Sequence, residues 1–295
     1  GTSRHISMAK VISASQMLRL YERGERDFRE VELKNVNLVG ANLIGVQLFG
    51  AQLSQADLRR ATLMGANLSN AELTETKLSE AGLIGVDLSL ATMRSALLNM
   101  AMAIDANLIG ADLTGADLSG ANLSGARLIR ASMNKAILIR ATLRRADISG
   151  ANLSGAMLSQ ANLRRADVSG ANMTNANMNG INLRRADLSG ANLSGAILSQ
   201  ATLRRADLIQ TNLAGANLRR TDLSHADLIE TDLRGANLTE ADLRGADLNG
   251  TNLAGCNLTG TNLDGVSLAG TLYDSNTLFD PGFNPVSAGM ERVDG

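Results

Sequence analysis

Apolar and polar positions along residues 26–270 follow a pattern that repeats every five residues without a break in phase. The stretch divides into 49 pentapeptides, most of them with a small residue first, a polar residue second and a large apolar residue third. The third position is Leu in 41 units and the first is Ala in 35, while the fifth holds 23 of the 29 glycines. A fixed short period of this kind indicates a repeat architecture.

The five-residue period excludes a helix, because residues five apart advance about 140° around a helix and would spread leucine over every face. In an extended segment the first and third residues point to one side and the second to the other. Five is odd, so a continuous strand would turn the next unit inside out. We therefore predict that the last two residues of each unit turn the chain, where glycine tolerates a positive φ.

A second period fixes the size of the coil. The sequence Leu-Arg-Arg-Ala-Asp recurs every 20 residues, at 143–147, 163–167, 183–187 and 203–207. Four pentapeptides per coil is the simplest interpretation, with like residues stacked over like. The repeat stretch then predicts about 12 coils, with neighbouring layers about 4.8 Å apart.

Units such as Ala111–Gly115 (ADLTG) and Ala121–Gly125 (ANLSG) match the consensus A(D/N)LXX, and the chain resembles the pentapeptide-repeat family. The resemblance implies an all-β fold, a right-handed quadrilateral β-helix, and its handedness comes from the resemblance alone. Family members often carry Phe at many centres, whereas here only Phe28 does. The entry Leu20–Phe28 is similar to the helical lead-in of many cyanobacterial members.

The sequence predicts four parts: a vector remnant at 1–7, a capping helix and entry turn at 8–25, the solenoid at 26–270, and an irregular cap and tail at 271–295. Open coil ends need caps. Ser13 or Ser15 is the predicted N-cap of the helix, and Gly24 its stop. Pro281 and Pro285 both lie beyond the last repeat, as expected because proline cannot donate to the hydrogen-bond ladder.

Composition narrows the class of protein further. Apolar residues make up 44% of the chain but aromatic residues only 2%, so stacked leucines must fill the interior. One cysteine excludes a disulfide scaffold, and a formal net charge of −1 with this apolar content argues against disorder. We expect a cytoplasmic protein, since no signal peptide or membrane-spanning segment is evident.

No catalytic or metal-ligating constellation is evident in the sequence. Once His5 is assigned to the vector remnant, His225 is the one histidine left, and it occupies a turn position without a second ligand at metal-site spacing. Cys256 occupies a small-residue position and is expected to be a buried, inert thiol. We predict a non-enzyme with no catalytic, cofactor-binding or metal-binding residues and no cofactor.

Two outward columns stand out at the 20-residue period, and we take both as a candidate interaction surface. An apolar set comprises Ile44, Met64, Ile84 and Ile104, with Leu97, Met100 and Met102 nearby. A basic set comprises Arg144, Arg145, Arg164, Arg165, Arg184, Arg185, Arg204 and Arg205.

Each column also has a structural interpretation. The arginines could be compensated by the neighbouring acidic column of Asp147, Asp167, Asp187 and Asp207. The apolar side chains could simply pack along their own column. The stretch 96–105 fits either a regular coil or a local bulge that shifts the phase.

The leading functional hypothesis is a rigid scaffold or regulator that binds a protein partner through these surface stripes. A second is a DNA mimic acting on a DNA-binding enzyme such as gyrase, as the family resemblance suggests, although a net charge of −1 and a basic column argue against it. A third is a purely structural or self-associating rod, with a homodimer as one form. Nucleic acid and membrane are not expected partners.

Overall fold

The computed structural model describes residues 10–294, so the predicted vector remnant at 1–7 lies outside the described residues. The regular elements are one helix, α1 at Ala14–Glu22, and two short strands, β1 at Leu272–Tyr273 and β2 at Glu291–Arg292. β1 and β2 pair in parallel, with Leu272 opposite Glu291. Between α1 and β1 the chain makes 49 turns, and isolated parallel bridges connect the short extended segments that lie between the turns.

These bridges join the second position of each unit to the residue 20 positions later, from Asp27 with Gln47 to Asn252 with Leu272. Each coil therefore contains four pentapeptides, and successive coils stack in parallel. Leu33 donates its backbone N–H to the carbonyl of Gln52 at 2.7 Å, and the N–H of Gln52 donates back to Val31 at 2.9 Å. The predicted 20-residue coil is confirmed.

The straight part of each unit is shorter than a conventional strand. Two of the five residues turn the chain, which leaves three extended residues in each unit. Only the middle one of these three forms a bridge. The pairing therefore consists of single bridges repeated from coil to coil, and the ladders of bridges run along the rod axis.

The last residue of every unit has a positive φ, in 23 glycines and in 26 other residues, among them Leu90 and Arg165 with φ of 58° each. The turn predicted from the glycines is confirmed. The 26 other residues show that the backbone imposes this conformation even where the side chain disfavours it.

The interior is lined by the first and third residues of the units. From Leu43 to Leu258 the leucines at the third position are almost fully buried, and the alanines at the first position from Ala51 onward are equally so. The stretch 96–105 keeps this pattern, with Leu97 bridged to Asp117 and Met102 to Asn122. A regular coil, and not a bulge, is therefore present there.

Threonine replaces alanine at several buried first positions, and each hydroxyl donates to a leucine carbonyl. Thr231 donates to Leu208 at 2.6 Å, and Thr211 donates to Leu188 at 2.7 Å. Six further threonines make the same kind of bond: Thr76, Thr221, Thr251, Thr261, Thr271 and Thr277. A hydroxyl is tolerated in this narrow interior because it is hydrogen-bonded.

Both ends of the coil stack carry additional structure. Ser13 is the N-cap of α1: its hydroxyl accepts from the N–H of Gln16 at 3.1 Å, and the Gln16 side chain accepts from the N–H of Ser13 at 2.9 Å. This reciprocal capping selects Ser13 over Ser15. Met17 is fully buried. At the other end, the ring of Phe279 lies 5.9 Å from Tyr273 and 4.8 Å from Phe283.

Candidate functional site

The apolar column, Ile44, Met64, Ile84 and Ile104, occupies the fourth position of units that stack directly on one another. Ile44 and Met64 are 43% and 46% exposed, and the other two are partly exposed. The carbonyl of Ile44 accepts a hydrogen bond from the Tyr21 hydroxyl at 2.8 Å, so this end of the column touches the capping helix.

The other predicted apolar residues are divided between two sides of the coil. Met102 is 44% exposed and lies on the same side as the apolar column, whereas Leu97 lies on the preceding side. Met100 stands at the turn between them, 58% exposed, with its thioether against the backbone of Gly120 in the next coil. These three residues therefore border the column instead of extending it.

The apolar column continues along the rod into the basic set. Ile104 and Asp105, Ser124 and Gly125, and Arg144 and Arg145 line one shallow depression that spans three successive coils. Apolar and basic surface thus form one continuous strip along a single side of the coil stack.

The arginine ladder consists of the eight predicted residues Arg144, Arg145, Arg164, Arg165, Arg184, Arg185, Arg204 and Arg205. Backbone hydrogen bonds of 2.9–3.0 Å hold its layers together: Arg145 donates to the carbonyl of Arg164, and the same bond recurs in the next two layers. The structure therefore brings all eight arginines together on adjoining coils, as the period predicts.

None of the eight arginines takes part in an ion pair within residues 10–294. The expected compensation by Asp147, Asp167, Asp187 and Asp207 is absent as direct pairing. Those carboxylates accept instead from the backbone N–H two residues on, as from Ser149 to Asp147 at 3.0 Å. The acidic column therefore stabilises its own turns, in the manner of an Asx turn.

Elsewhere in the rod, arginines pair with acids in three ways. In the longest of these pairs, Arg94 at a fourth position contacts Asp112 at the second position one coil later, at 3.5 Å. An arginine at the fourth position pairs with an aspartate at the second position of its own unit, as Arg234 does with Asp232 at 2.7 Å. An arginine at the fifth position pairs with a glutamate one coil later, as Arg220 does with Glu240 at 2.6 Å.

The two closer pairing positions lack an acid around the arginine ladder. The second positions of its units are Thr142, Asn162, Asn182 and Thr202, and one coil beyond each fifth-position arginine stands another arginine or His225. The ladder is unpaired because its sequence places neutral or basic residues at all but one of the positions where the rod elsewhere places acids. The exception is Asp222, one coil beyond Arg204, whose carboxylate accepts from the N–H and the hydroxyl of Ser224.

The ladder is also electrostatically strained. The Nε atoms of Arg164, Arg184 and Arg204 are shielded from solvent and have no hydrogen-bond partner, and they are the only buried side-chain polar atoms in residues 10–294 of which this holds. Desolvation, together with the charges of Arg184 and Arg144, lowers the pKa of Arg164 below its usual value. Desolvation and the arginines above and below it lower the pKa of Arg185 likewise. Like charges have been stacked without compensation.

Within residues 10–294, the one cysteine and the one histidine occupy a core position and a turn position. Cys256 is fully buried, and burial raises the pKa of its thiol far above its usual value. His225 lies against Gly245, at an exposed turn. Across residues 10–294, no three His, Cys, Asp or Glu side chains are grouped so as to hold a metal ion. The described helix is too short and too polar to cross a bilayer.

Comparison with known proteins identifies the class of fold. The family model for pentapeptide repeats matches in eight copies over residues 27–94 and 106–272. The matches skip 95–105, although the coil stays regular there. The chain belongs to the pentapeptide-repeat family, as its sequence predicts, and membership implies a right-handed β-helix.

Solved structures of cyanobacterial proteins resemble the chain. HetL of Nostoc sp. strain PCC 7120, a pentapeptide-repeat protein involved in heterocyst differentiation regulation, is 34% identical with a TM-score of 0.50, and the match covers 91% of this chain and all of HetL. Protein alr5209 of the same Nostoc is 36% identical with a TM-score of 0.34, over 35% of this chain and 84% of its own. Rfr23 of Cyanothece 51142 is 39% identical with a TM-score of 0.24, over 38% and 67%. No curated protein sequence matches the chain.

Proposed function

We propose that this protein is a non-enzymatic rigid rod that binds a protein partner through the strip formed by the apolar column and the arginine ladder. The observation that supports this proposal is the continuity of the two columns across the depression at Ile104, Ser124 and Arg144. Apolar side chains at the fourth position do nothing for the core, because the first and third positions already fill it. An exposed apolar strip bordered by charge is typical of an interaction site.

The shape of the rod is part of this proposal. Each 20-residue coil consists of four units, and each unit ends in a residue with a positive φ. We infer a quadrilateral cross-section with four flat sides. A flat side built from stacked coils presents its columns in a fixed order and spacing, so little conformational entropy is lost on binding. The cytoplasm is the proposed location, on the sequence argument alone.

The proposal is tested by capture of a partner from an extract of the source organism. The double variant Met64→Ser and Ile84→Ser removes apolar surface from the strip without touching the core. The matched control is Met157→Ser and Ile197→Ser, two residues 41% and 40% exposed on a different side of the coil. We expect the strip variant to lose a protein that the wild type and the control both retain.

Equal recovery by all three proteins would contradict the proposal, and so would loss by the control as well as the strip variant. Sedimentation of the purified protein over a range of concentrations tests the self-associating rod, because a homodimer would show a concentration-dependent mass. Leu263, Val266 and Leu268 in the last coil remain partly exposed, so an end-to-end dimer would bury them.

A further inference from the structure

The arginine ladder places like charges close together without acidic partners, and their repulsion is unfavourable in the isolated protein. The layers lie about 4.8 Å apart, a distance at which like charges repel even near a protein surface. Arg164, Arg184 and Arg204 each stack on another arginine and have an unpartnered Nε. A bound anion would relieve the repulsion between these stacked charges.

The surroundings of the ladder restrict the shape of that anion. On one side stands the acidic column of Asp147, Asp167, Asp187 and Asp207, which continues through Asp227 and Asp247. On the other side stand the neutral second positions, such as Asn162 and Asn182. The basic strip is thus only two arginines wide, and a broad polyanion such as a DNA duplex would meet the acidic column.

The length of the ladder fits a short extended peptide. Four layers span about 14 Å, which corresponds to about four or five residues of extended chain at about 3.3 Å each. The ladder contains no aromatic side chain on which the bases of a single-stranded nucleic acid could stack. Arginine forks match carboxylates with two parallel hydrogen bonds.

We propose that the arginine ladder binds a short, extended run of Asp and Glu residues in the protein partner. This inference rests on the proposed function and adds the chemistry of the partner. The apolar column is then the docking surface for the apolar residues that flank the acidic run.

A pair of conservative substitutions tests the inference by giving the ladder its own acids. In Asn162→Asp and Asn182→Asp, the new carboxylates would keep the acceptor for the N–H of Arg164 and Arg184, which the asparagine side chains supply at 3.1 and 3.0 Å. They would also pair with the guanidinium of the same unit, in the geometry of Asp232 with Arg234. The control, Asn172→Asp and Asn192→Asp, makes the same change of charge on another side of the coil.

A second variant removes arginines without risk to the fold. Arg165 and Arg185 have φ of 58°, so Arg165→Gly and Arg185→Gly relieve backbone strain as well as repulsion. The double variant is expected to fold at least as stably as the wild type. Its control, Arg130→Gly and Lys135→Gly, removes two positive charges at other turns that share a φ of 58°.

The probe is a fluorescein-labelled hexaglutamate peptide, with binding followed by fluorescence anisotropy at low ionic strength, and hexathymidylate serves as the nucleic-acid comparison. We expect hexaglutamate to bind the wild type more tightly than hexathymidylate does. We expect both ladder variants to bind the peptide about tenfold more weakly, and both controls to stay within about twofold of the wild type. Added salt should weaken binding.

No detectable peptide binding would overturn the inference, as would equal weakening in ladder variants and controls, or tighter binding of hexathymidylate. The proposed function is tested separately by capture with the apolar-column variants. Loss of capture in those variants together with no peptide binding would leave the interaction strip standing and remove only its acidic partner.

Discussion

Replacement of Thr231 by valine tests whether the buried hydroxyls of the solenoid stabilise it. Thr231 is 1% exposed, and its hydroxyl donates to the carbonyl of Leu208 at 2.6 Å. Valine has nearly the same shape, and Val46 and Val86 occupy the same register position fully buried, so the substitution removes one hydrogen bond without creating a cavity.

The magnitude depends on what remains bonded to that carbonyl. The N–H of Thr211 also donates to Leu208 at 3.1 Å, so the oxygen keeps one partner after the substitution. The cost is therefore the net value of a neutral hydrogen bond, about 1 kcal/mol, and not the about 1–3 kcal/mol of an orphaned buried acceptor. A change of about 1 kcal/mol corresponds to about a fivefold change in the population of the opened state.

Hydrogen exchange measured peptide by peptide is the suitable assay, because a long repeat array does not unfold in a single two-state step. We expect amides in the coils around Leu208 and Thr231 to exchange about fivefold faster in Thr231→Val, with little change more than a coil or two away, since repeats couple to their nearest neighbours. The control is Thr259→Val, in which the threonine is exposed and its hydroxyl has no partner among the described residues.

Exchange in Thr231→Val that is unchanged or slower would refute the reasoning, because the hydroxyl would then contribute nothing. An equal acceleration in Thr259→Val would show that the loss of a threonine, and not of the buried bond, is responsible. An acceleration spread over the whole rod would contradict the nearest-neighbour picture.

Three further predictions concern the core, the thiol and one ion pair. Leu158→Ala, at a fully buried centre, should lower the free energy of unfolding of its region by about 2–5 kcal/mol in exchange measurements, whereas Met157→Ala next to it should cost under about 0.5 kcal/mol; similar losses would contradict the assigned orientation. Cys256 should react with a thiol reagent such as Ellman's only after denaturation, and rapid labelling of the native protein would contradict its burial. The hydrogen bond from Arg244 holds the pKa of Asp242 below its usual 3.8, so this pair stabilises the fold above that pH and the contribution is lost as the pH falls through the lowered value. Arg244→Gln should raise the pKa of Asp242 in a carboxyl NMR titration, and an unchanged value would show that the pair does not form in solution.

The coil could be predicted from the sequence because every constraint on it is local or periodic. The order of small, polar and large residues fixes which positions point inward, and the spacing between the Leu-Arg-Arg-Ala-Asp segments fixes the coil at 20 residues. Glycine at the fifth position indicated the turn, and the structure extends the same conformation to residues such as Leu90 that give no such signal.

What could not be predicted depends on atoms in different coils. The bond from Thr231 to Leu208 spans 23 positions and two sides of the coil, so no pattern along the chain indicates it. The capping box, by contrast, was readable in the sequence, because Gln16 stands three residues after Ser13 whereas Leu18 stands three residues after Ser15.

The lack of ion pairs in the arginine ladder could have been predicted from the sequence. Asp57 precedes Arg59, and Asp242 precedes Arg244, by two residues in units where the pair forms. In the ladder, Asn162 and Asn182 stand at the corresponding position before Arg164 and Arg184. The aspartates of the next column do not compensate the arginines, because they already accept hydrogen bonds from backbone N–H groups of their own turns.

The five positions of the unit therefore divide into positions that build the coil and positions that form its surface. The first and third positions fill the core and are constrained in almost every unit, and many second positions accept a backbone N–H through Asn or Asp. The fourth and fifth face solvent and are free to vary, within the positive φ of the fifth. Because the core below them is uniform, a change at these positions alters the surface without altering the coil. The change from Ile104 through Ser124 to Arg144 therefore alters only the surface. The neutral residues beside the arginines leave those charges without an ion-pair partner, as the proposed acidic ligand requires.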